Sequence, residues 1–211
     1  MSQAGPLTIS SSIGGAPVGV TKDNLNWLPL GQGGGTNGVV TFSFSQDAGV
    51  VTGAASGLYA APFLSHGNGA AFGDANGADA SRYITTSSAA AFGGANATMT
   101  FAQTQTYFGL LWGSVDSYNW LDFYRGSTLI GRVNGGDVAA LANGDQGEMG
   151  TYYVNILSDT AFDRVVAASN GYAFEFDNIS YSPSAPSVPE PATLCLLGLG
   201  VLEAARRLRK R

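Results

Sequence analysis

Residues 39–45 read VVTFSFS, with apolar Val40, Phe42 and Phe44 alternating with polar Thr41, Ser43 and Ser45. A period of two puts the apolar set on one face of an extended chain, so a half-buried strand is predicted here. After residue 98 the pattern sharpens. Segments 98–103, 107–113, 119–125, 128–133, 151–157, 162–168 and 172–181 are rich in β-branched and aromatic residues and are parted by Gly, Asn, Asp or Ser. Strands of this length and spacing predict an all-β fold, a β-sandwich or jelly-roll-like domain. Arg125-Gly126-Ser127-Thr128 reads as a tight hairpin turn, and residues 137–142 as one short helical turn before the Asn143-Gly144-Asp145 turn.

Between residues 48 and 97 the chain is dominated by Gly, Ala, Ser and Asn, with isolated Leu58, Tyr59, Phe63, Leu64, Phe72, Tyr83, Ile84 and Phe92. Such a stretch is too long for a single loop in a compact domain. Irregular strands and surface excursions packed down by those side chains are expected instead. All strand patterning stops at Tyr181, so residues 1–181 form one β domain. Residues 182–188, SPSAPSV, read as an extended Pro/Ser linker, and residues 189–211 as a separate tail.

Charged residues make up only 12% of the 211 residues, Gly numbers 30 and aromatics reach 11%, a balance that suits a turn-rich extracellular β protein. The formal charge of −5 hides an asymmetry. Residues 1–185 hold five basic residues, Lys22, Arg82, Arg125, Arg132 and Arg164, against thirteen acids, a net of −8. A body of that sign repels phosphate backbones, which excludes nucleic acid as a partner. The lone cysteine, Cys195, lies in the tail, so the body has no disulfide and must rest on its core or on a bound metal.

The tail has three parts in a fixed order. Pro189, Glu190 and Pro191 are followed by an apolar run over 192–202, and that by Arg206, Arg207, Arg209, Lys210 and Arg211. The basic cluster suits anionic headgroups on the cytoplasmic side of a membrane. As a helix the run covers only about 16 Å, roughly half a ~30 Å hydrocarbon core, and Glu203 closes it. A short apolar helix of this kind serves transient retention better than permanent spanning. The triplet, the Leu/Gly-rich run and the Arg cluster over 188–211 resemble the PEP-CTERM sorting signal of bacteria that make extracellular polysaccharide. That resemblance implies export, retention in the inner membrane by the tail, cleavage near the triplet by exosortase, and release to the cell surface or matrix. Within the body, YFGLLWGSVDSYNWLDFY, DVAALANGDQGEMGTYYVNI and FDRVVAASNGYAFEFDNISY are similar to the carboxy-terminal half of exosortase-dependent surface proteins, over residues 98–181. Export also needs a leader. MSQAGPLTISSSIGG has no Lys or Arg and no long apolar run, so a signal is expected to have been removed or to lie upstream of Met1, the alternative being a cytosolic protein with a decayed tail.

Catalytic chemistry finds little support. His66, the only histidine, sits in Ser65-His66-Gly67-Asn68-Gly69 and reads as a turn residue with no catalytic partner, and the glycines between Gly31 and Gly35 open no βαβ unit. Glycoside hydrolysis needs two facing carboxylates. The body offers Glu148, Glu175 and turn aspartates such as Asp74, Asp79, Asp116, Asp137 and Asp145, while Glu175, opposite Phe174 and Phe176 on its strand, is expected to face solvent. No active site is expected, and no cofactor beyond a structural calcium. Phe176-Asp177-Asn178-Ile179 resembles the closing segment of carbohydrate-binding jelly rolls, which implies Asp177 as a calcium ligand, with Asp23 and Asn24 the nearest amino-terminal partners. A plain strand-end turn residue is the other reading of Asp177. Trp120, Asp122 and Tyr124 share one strand face, where Trp120 and Tyr124 would stack sugar rings if open and would be core if covered by residues 48–97.

These readings converge on a non-enzymatic surface or extracellular-matrix protein, sorted by exosortase and associated with exopolysaccharide. The alternatives are a calcium-stabilised carbohydrate-binding module and a hydrolase, which would need a polar cleft with paired acids.

Overall fold

Segments 98–103 and 107–113 are the two ends of one strand, and so are 151–157 and 162–168. The computed structural model describes residues 7–12, 15–86 and 95–186. The Pro-Glu-Pro triplet, the apolar helix and the basic anchor expected in the tail lie outside them. In chain order the strands are β1 (Leu7–Ser12), β2 (Thr21–Asp23), β3 (Gly35–Thr36), β4 (Val40–Phe44), β5 (Ala48–Val51), β6 (Phe63–Leu64), β7 (Gly77–Ala78), β8 (Tyr83–Thr86), β9 (Asn96–Gly113), β10 (Asn119–Arg125), β11 (Thr128–Asn134), β12 (Tyr152–Ser169) and β13 (Phe174–Ser182). A 3-10 turn covers Ala70–Phe72, and one helical turn, α1, covers Gly135–Val138. That turn starts earlier than expected because the Asp137 carboxylate accepts the Asn134 N–H at 2.8 Å, closing a capping box.

Eleven of these strands form one antiparallel sheet, and β6 and β7 pair separately. The fused strands organise it. The first half of β9 pairs with β4 and with the second half of β12, which pairs in turn with β10, and β10 with β11. The second half of β9 pairs with β13 and with the first half of β12, whose other edge takes β1. β8 and β2 then line the far edge of β13, and β5 joins β8. Residues 102–106 carry no Gly or Pro to break β9, so the lapse in apolar alternation there is a change of face, and β12 is irregular opposite it, between Leu157 and Phe162.

The two halves of the sheet close on one another through a core of aromatic rings. Phe108 lies 6.0 Å from Phe123, and Phe101 lies 5.2 Å from Tyr181, each pair joining one half to the other. Phe123 and Phe162 meet edge to face at 5.1 Å in the same cluster. A second, smaller cluster of Leu64, Leu111 and Tyr153, with Ala16 and Phe72 against it, sits outside the sheet under residues 63–72. Gly109 makes this outer layer possible, since a Cβ there would stand 2.4 Å from the Tyr107 hydroxyl and 2.6 Å from Ser180 Oγ. Residues 48–86 thus form short strands and packed excursions, as their composition implies. They cover the outer face of β9, β12 and β13.

Candidate functional site

β13 turns Phe174 and Phe176 into the main core, which leaves Glu175 and Asp177 on its outer face. On an open sheet both carboxyls would be hydrated. Here residues 54–82 cross above them, and Glu175 is only 2% exposed and Asp177 0%. The expectation that Glu175 faces solvent is corrected on this point: the strand parity was right, but the outer face is roofed.

Glu175 forms the floor of a cavity of about 830 Å³ walled by residues 54–60, the β9–β10 connection, the 143–146 turn and Tyr172-Ala173. Its Oε1 accepts the Ala60 N–H at 2.8 Å, and no group among the described residues donates to Oε2. Burial is the main reason its pKa is pushed up to about 8, and backbone N–H bonds only partly oppose it. The nearby Asp116 charge adds to the rise. Asp116 is itself raised by burial, against the Tyr118 hydroxyl that donates to its Oδ2 at 2.6 Å. Tyr118 Oη also contacts the Tyr172 carbonyl, and its single proton cannot serve both acceptors at once. Ser114 Oγ, a further wall group, is buried with no partner among the described residues.

The connection that carries Asp116 is stapled to the 142–144 turn. Ser117 N–H donates to the Ala142 carbonyl at 3.1 Å, and Gly144 N–H to the Val115 carbonyl at 3.0 Å. Gly144 has φ +72°, and a Cβ there would stand 2.7 Å from Asp116 Oδ1, so only glycine both turns the chain and admits the carboxylate. Tyr59, Tyr118 and Tyr172 add three aromatic rings to the walls. The arrangement offers neutral and ionisable carboxyls, hydroxyls and ring faces within one recess.

The other expected site residues lie elsewhere. Asp23 does not join Asp177: its Oδ1 accepts the Leu25 N–H at 2.9 Å, and its oxygens also receive Trp27 Nε1 and, at 2.8 Å, Asn37 Nδ2. In the β2–β13 register it stands opposite Ile179, within the irregularity between Asp177 and Ser180. Asp23 therefore holds the 23–37 segment together. Trp120 and Tyr124 do share a half-exposed face, and that face is occupied from within the sheet. The Arg132 guanidinium lies 4.7 Å from the Trp120 ring centroid and is paired with Asp122 at 2.6 Å, while Arg164 lies 4.5 Å from the Tyr124 ring. His66 is in a turn with φ +50°. Asp116 and Glu175, the acids that meet in the cavity, were read from the sequence as a turn aspartate and a solvent-facing glutamate, and their meeting was not foreseen. The readable signal was an acid between two core phenylalanines, facing a segment long enough to roof it.

Fold and site define a β-rich protein with an acid- and tyrosine-lined cavity at one end of its sheet. Residues 187–210 match the family model of the PEP-CTERM protein-sorting motif, which implies processing by exosortase and an extracellular or surface destination. No curated protein matches the chain. Among solved structures, the catalytic domain of a GH87 alpha-1,3-glucanase in complex with tetrasaccharides is similar at a TM-score of 0.35 and 13% identity, over 75% of this chain and 30% of that one. A likeness that distant carries no inference about activity. No helix among the described residues is long and apolar enough to cross a membrane.

Proposed function

We propose that the chain is an exosortase-sorted extracellular protein that holds a polyhydroxylated saccharide of the exopolysaccharide matrix in the Glu175–Asp116 cavity, without turning it over. The observation that carries this reading is Glu175, a carboxyl whose pKa of about 8 keeps it largely neutral near pH 7 and whose Oε2 has no partner among the described residues beside the cavity. A neutral carboxylic acid both donates and accepts, which matches a sugar hydroxyl. Tyr59, Tyr118 and Tyr172 supply the apolar ring faces that saccharide sites use, and the cavity volume is within the usual range for small-ligand pockets. The tail supports a destination where such ligands are abundant. We read the folded-over sheet as a jelly-roll-like sandwich, with the Phe108–Phe123 and Phe101–Tyr181 contacts as its interlayer core.

A second reading, glycosidic hydrolysis, is favoured by one specific observation: a carboxyl protonated near neutrality and a second acid share the recess, as an acid/base pair requires. Titration calorimetry against bacterial matrix polysaccharides and their oligosaccharides, with a reducing-end assay on the same mixtures, separates the two. Binding without new reducing ends is expected. Glu175→Gln should bind within about threefold of wild type because the amide is neutral and hydrogen-bonds both ways, Tyr118→Ala should bind at least tenfold more weakly, and Trp120→Ala should be unchanged. Reducing ends that vanish in Glu175→Gln would replace binding with hydrolysis, and no binding to any glycan would overturn the proposal.

A further inference from the structure

Two residues beyond Glu175 on the same roofed face, Asp177 and the adjacent Asn178 meet Asp79 and Asp74 in a place where charge is unbalanced. The Asp177 and Asp79 carboxyls lie within hydrogen-bonding reach of each other, and neither can donate when ionised. Ser81 serves both. Its N–H and Oγ each stand 2.7 Å from Asp79 Oδ1, and Oγ stands 3.2 Å from Asp177 Oδ2. One hydroxyl proton cannot satisfy two carboxylates. Asp79 Oδ2 and Asp177 Oδ1, at 2% and 0% residue exposure, are left with no donor among the described residues.

Asn178 is turned to the same cluster. Its Nδ2 donates to Asp74 Oδ2 at 2.6 Å, and because a carboxylate only accepts, the amide orientation is settled and Oδ1 is the oxygen left over. That oxygen too is buried and has no donor. Asn178 owes its position to a left-handed φ of +54° at the irregularity between Asp177 and Ser180. No described cation answers these acids. The one ion pair between described side chains is Arg132–Asp122, and neighbouring Arg82 donates instead to the Asn26 and Leu28 carbonyls at 3.0 and 2.6 Å. Uncompensated buried carboxylates cost several kcal/mol each, so either a bound cation or a proton shared between them must relieve the cluster.

We infer that Asp79, Asp177 and Asn178 bind a hard divalent cation of calcium's size, with Asp79 Oδ2, Asp177 Oδ1 and Asn178 Oδ1 as the protein ligands on the outer face of β13. Anionic and amide oxygens without nitrogen or sulfur are the donor set calcium prefers, and its shell of 6–8 oxygens would be completed by backbone carbonyls and water. Among the described residues no group of three His, Cys, Asp or Glu is gathered to hold a metal on carboxylates alone, so the amide oxygen is an essential member. The ion would lock residues 74–81, the roof of this face, onto the last strand. The site is independent of the saccharide reading, since none of its ligands lines the Glu175 cavity.

Metal-stripped full-length protein should take up one Ca²⁺ per chain in equilibrium dialysis, and its melting temperature should rise by about 5–10 °C at a hundredfold excess over Kd. Asp79→Asn should abolish both the stoichiometric uptake and the shift, and Asp177→Asn should do the same if it folds. Glu175→Gln should keep both even if its glycan binding fails. No uptake and no shift in wild type would overturn the inference in favour of a proton shared by the two aspartates. Stoichiometric uptake that persists in Asp79→Asn would overturn it by placing the ion elsewhere.

Discussion

Removing the Glu175 proton site should change how stability depends on pH, by an amount the structure sets. Burial, against partial relief from backbone N–H bonds and with the Asp116 charge added, moves this carboxyl from 4.5 in the unfolded chain to about 8 in the fold. The folded state therefore holds a proton the unfolded chain has released between those values. Stability from this group is fully present below pH 4.5 and is lost as pH rises to about 8, at about 1.4 kcal/mol per pH unit, or roughly 4–5 kcal/mol in all. Glu175→Gln has no proton to lose and keeps an oxygen for the Ala60 N–H. Its stability should match wild type near pH 4.5 and exceed it at pH 9 by roughly 4 kcal/mol, about 8–16 °C in melting temperature. Calorimetric melts of both proteins from pH 4 to 9.5 give the difference curve, from which Asp116 and Asp177 cancel because both proteins retain them. Parallel curves, or a wild type that gains on the variant as pH rises, would refute the reasoning.

Phe123→Ala should cost about 3–5 kcal/mol by thermal melting, because the ring is fully buried between Phe108 and Phe162, and Phe123→Leu should recover most of it. Gly144→Ala should destabilise by about 1–3 kcal/mol and weaken saccharide binding; a loss of only about 1 kcal/mol would mean that the Asp116 carboxylate swings aside and the left-handed backbone alone is strained, and an unchanged melt would refute both effects. Arg132→Gln should cost at most about 1 kcal/mol in chemical denaturation, since the guanidinium is 45% exposed beside its Asp122 partner. Intact-mass measurement of surface protein from an exosortase-bearing host should find the chain ending near Pro191, and Arg211 on the mature form would sink that reading.

Strand identity was legible wherever one face of a strand meets the core and the other meets water. β4 and β10 read directly from their alternation, and the Arg125–Thr128 turn from its Gly-Ser pair. The continuity of β9 and β12 was not legible, because alternation slips where each strand passes from one half of the sheet to the other, and a slip looks like an end. The cavity was hidden for a related reason. Parity placed Glu175 outside the core correctly, but whether outside means solvent depends on residues 54–82, whose Gly- and Ala-rich composition says little about where they lie. Trp120 and Tyr124 drew attention as aromatics, yet cross-strand Arg132 and Arg164 already occupy them, a partnership fixed by register.

β13, the last strand of the body, is hydrogen-bonded on both edges, to β9 along one side and to β8 and β2 along the other. Any tension applied to the body through the residues that follow Ser182 enters the domain at the end of an interior strand. Such a load is borne in shear by two ladders at once, whereas an edge strand such as β11 could be peeled one bond at a time. Forced unfolding is governed by the height of that barrier rather than by equilibrium stability. A pull on the body from its carboxy-terminal side therefore meets a higher barrier than a pull on β11 would.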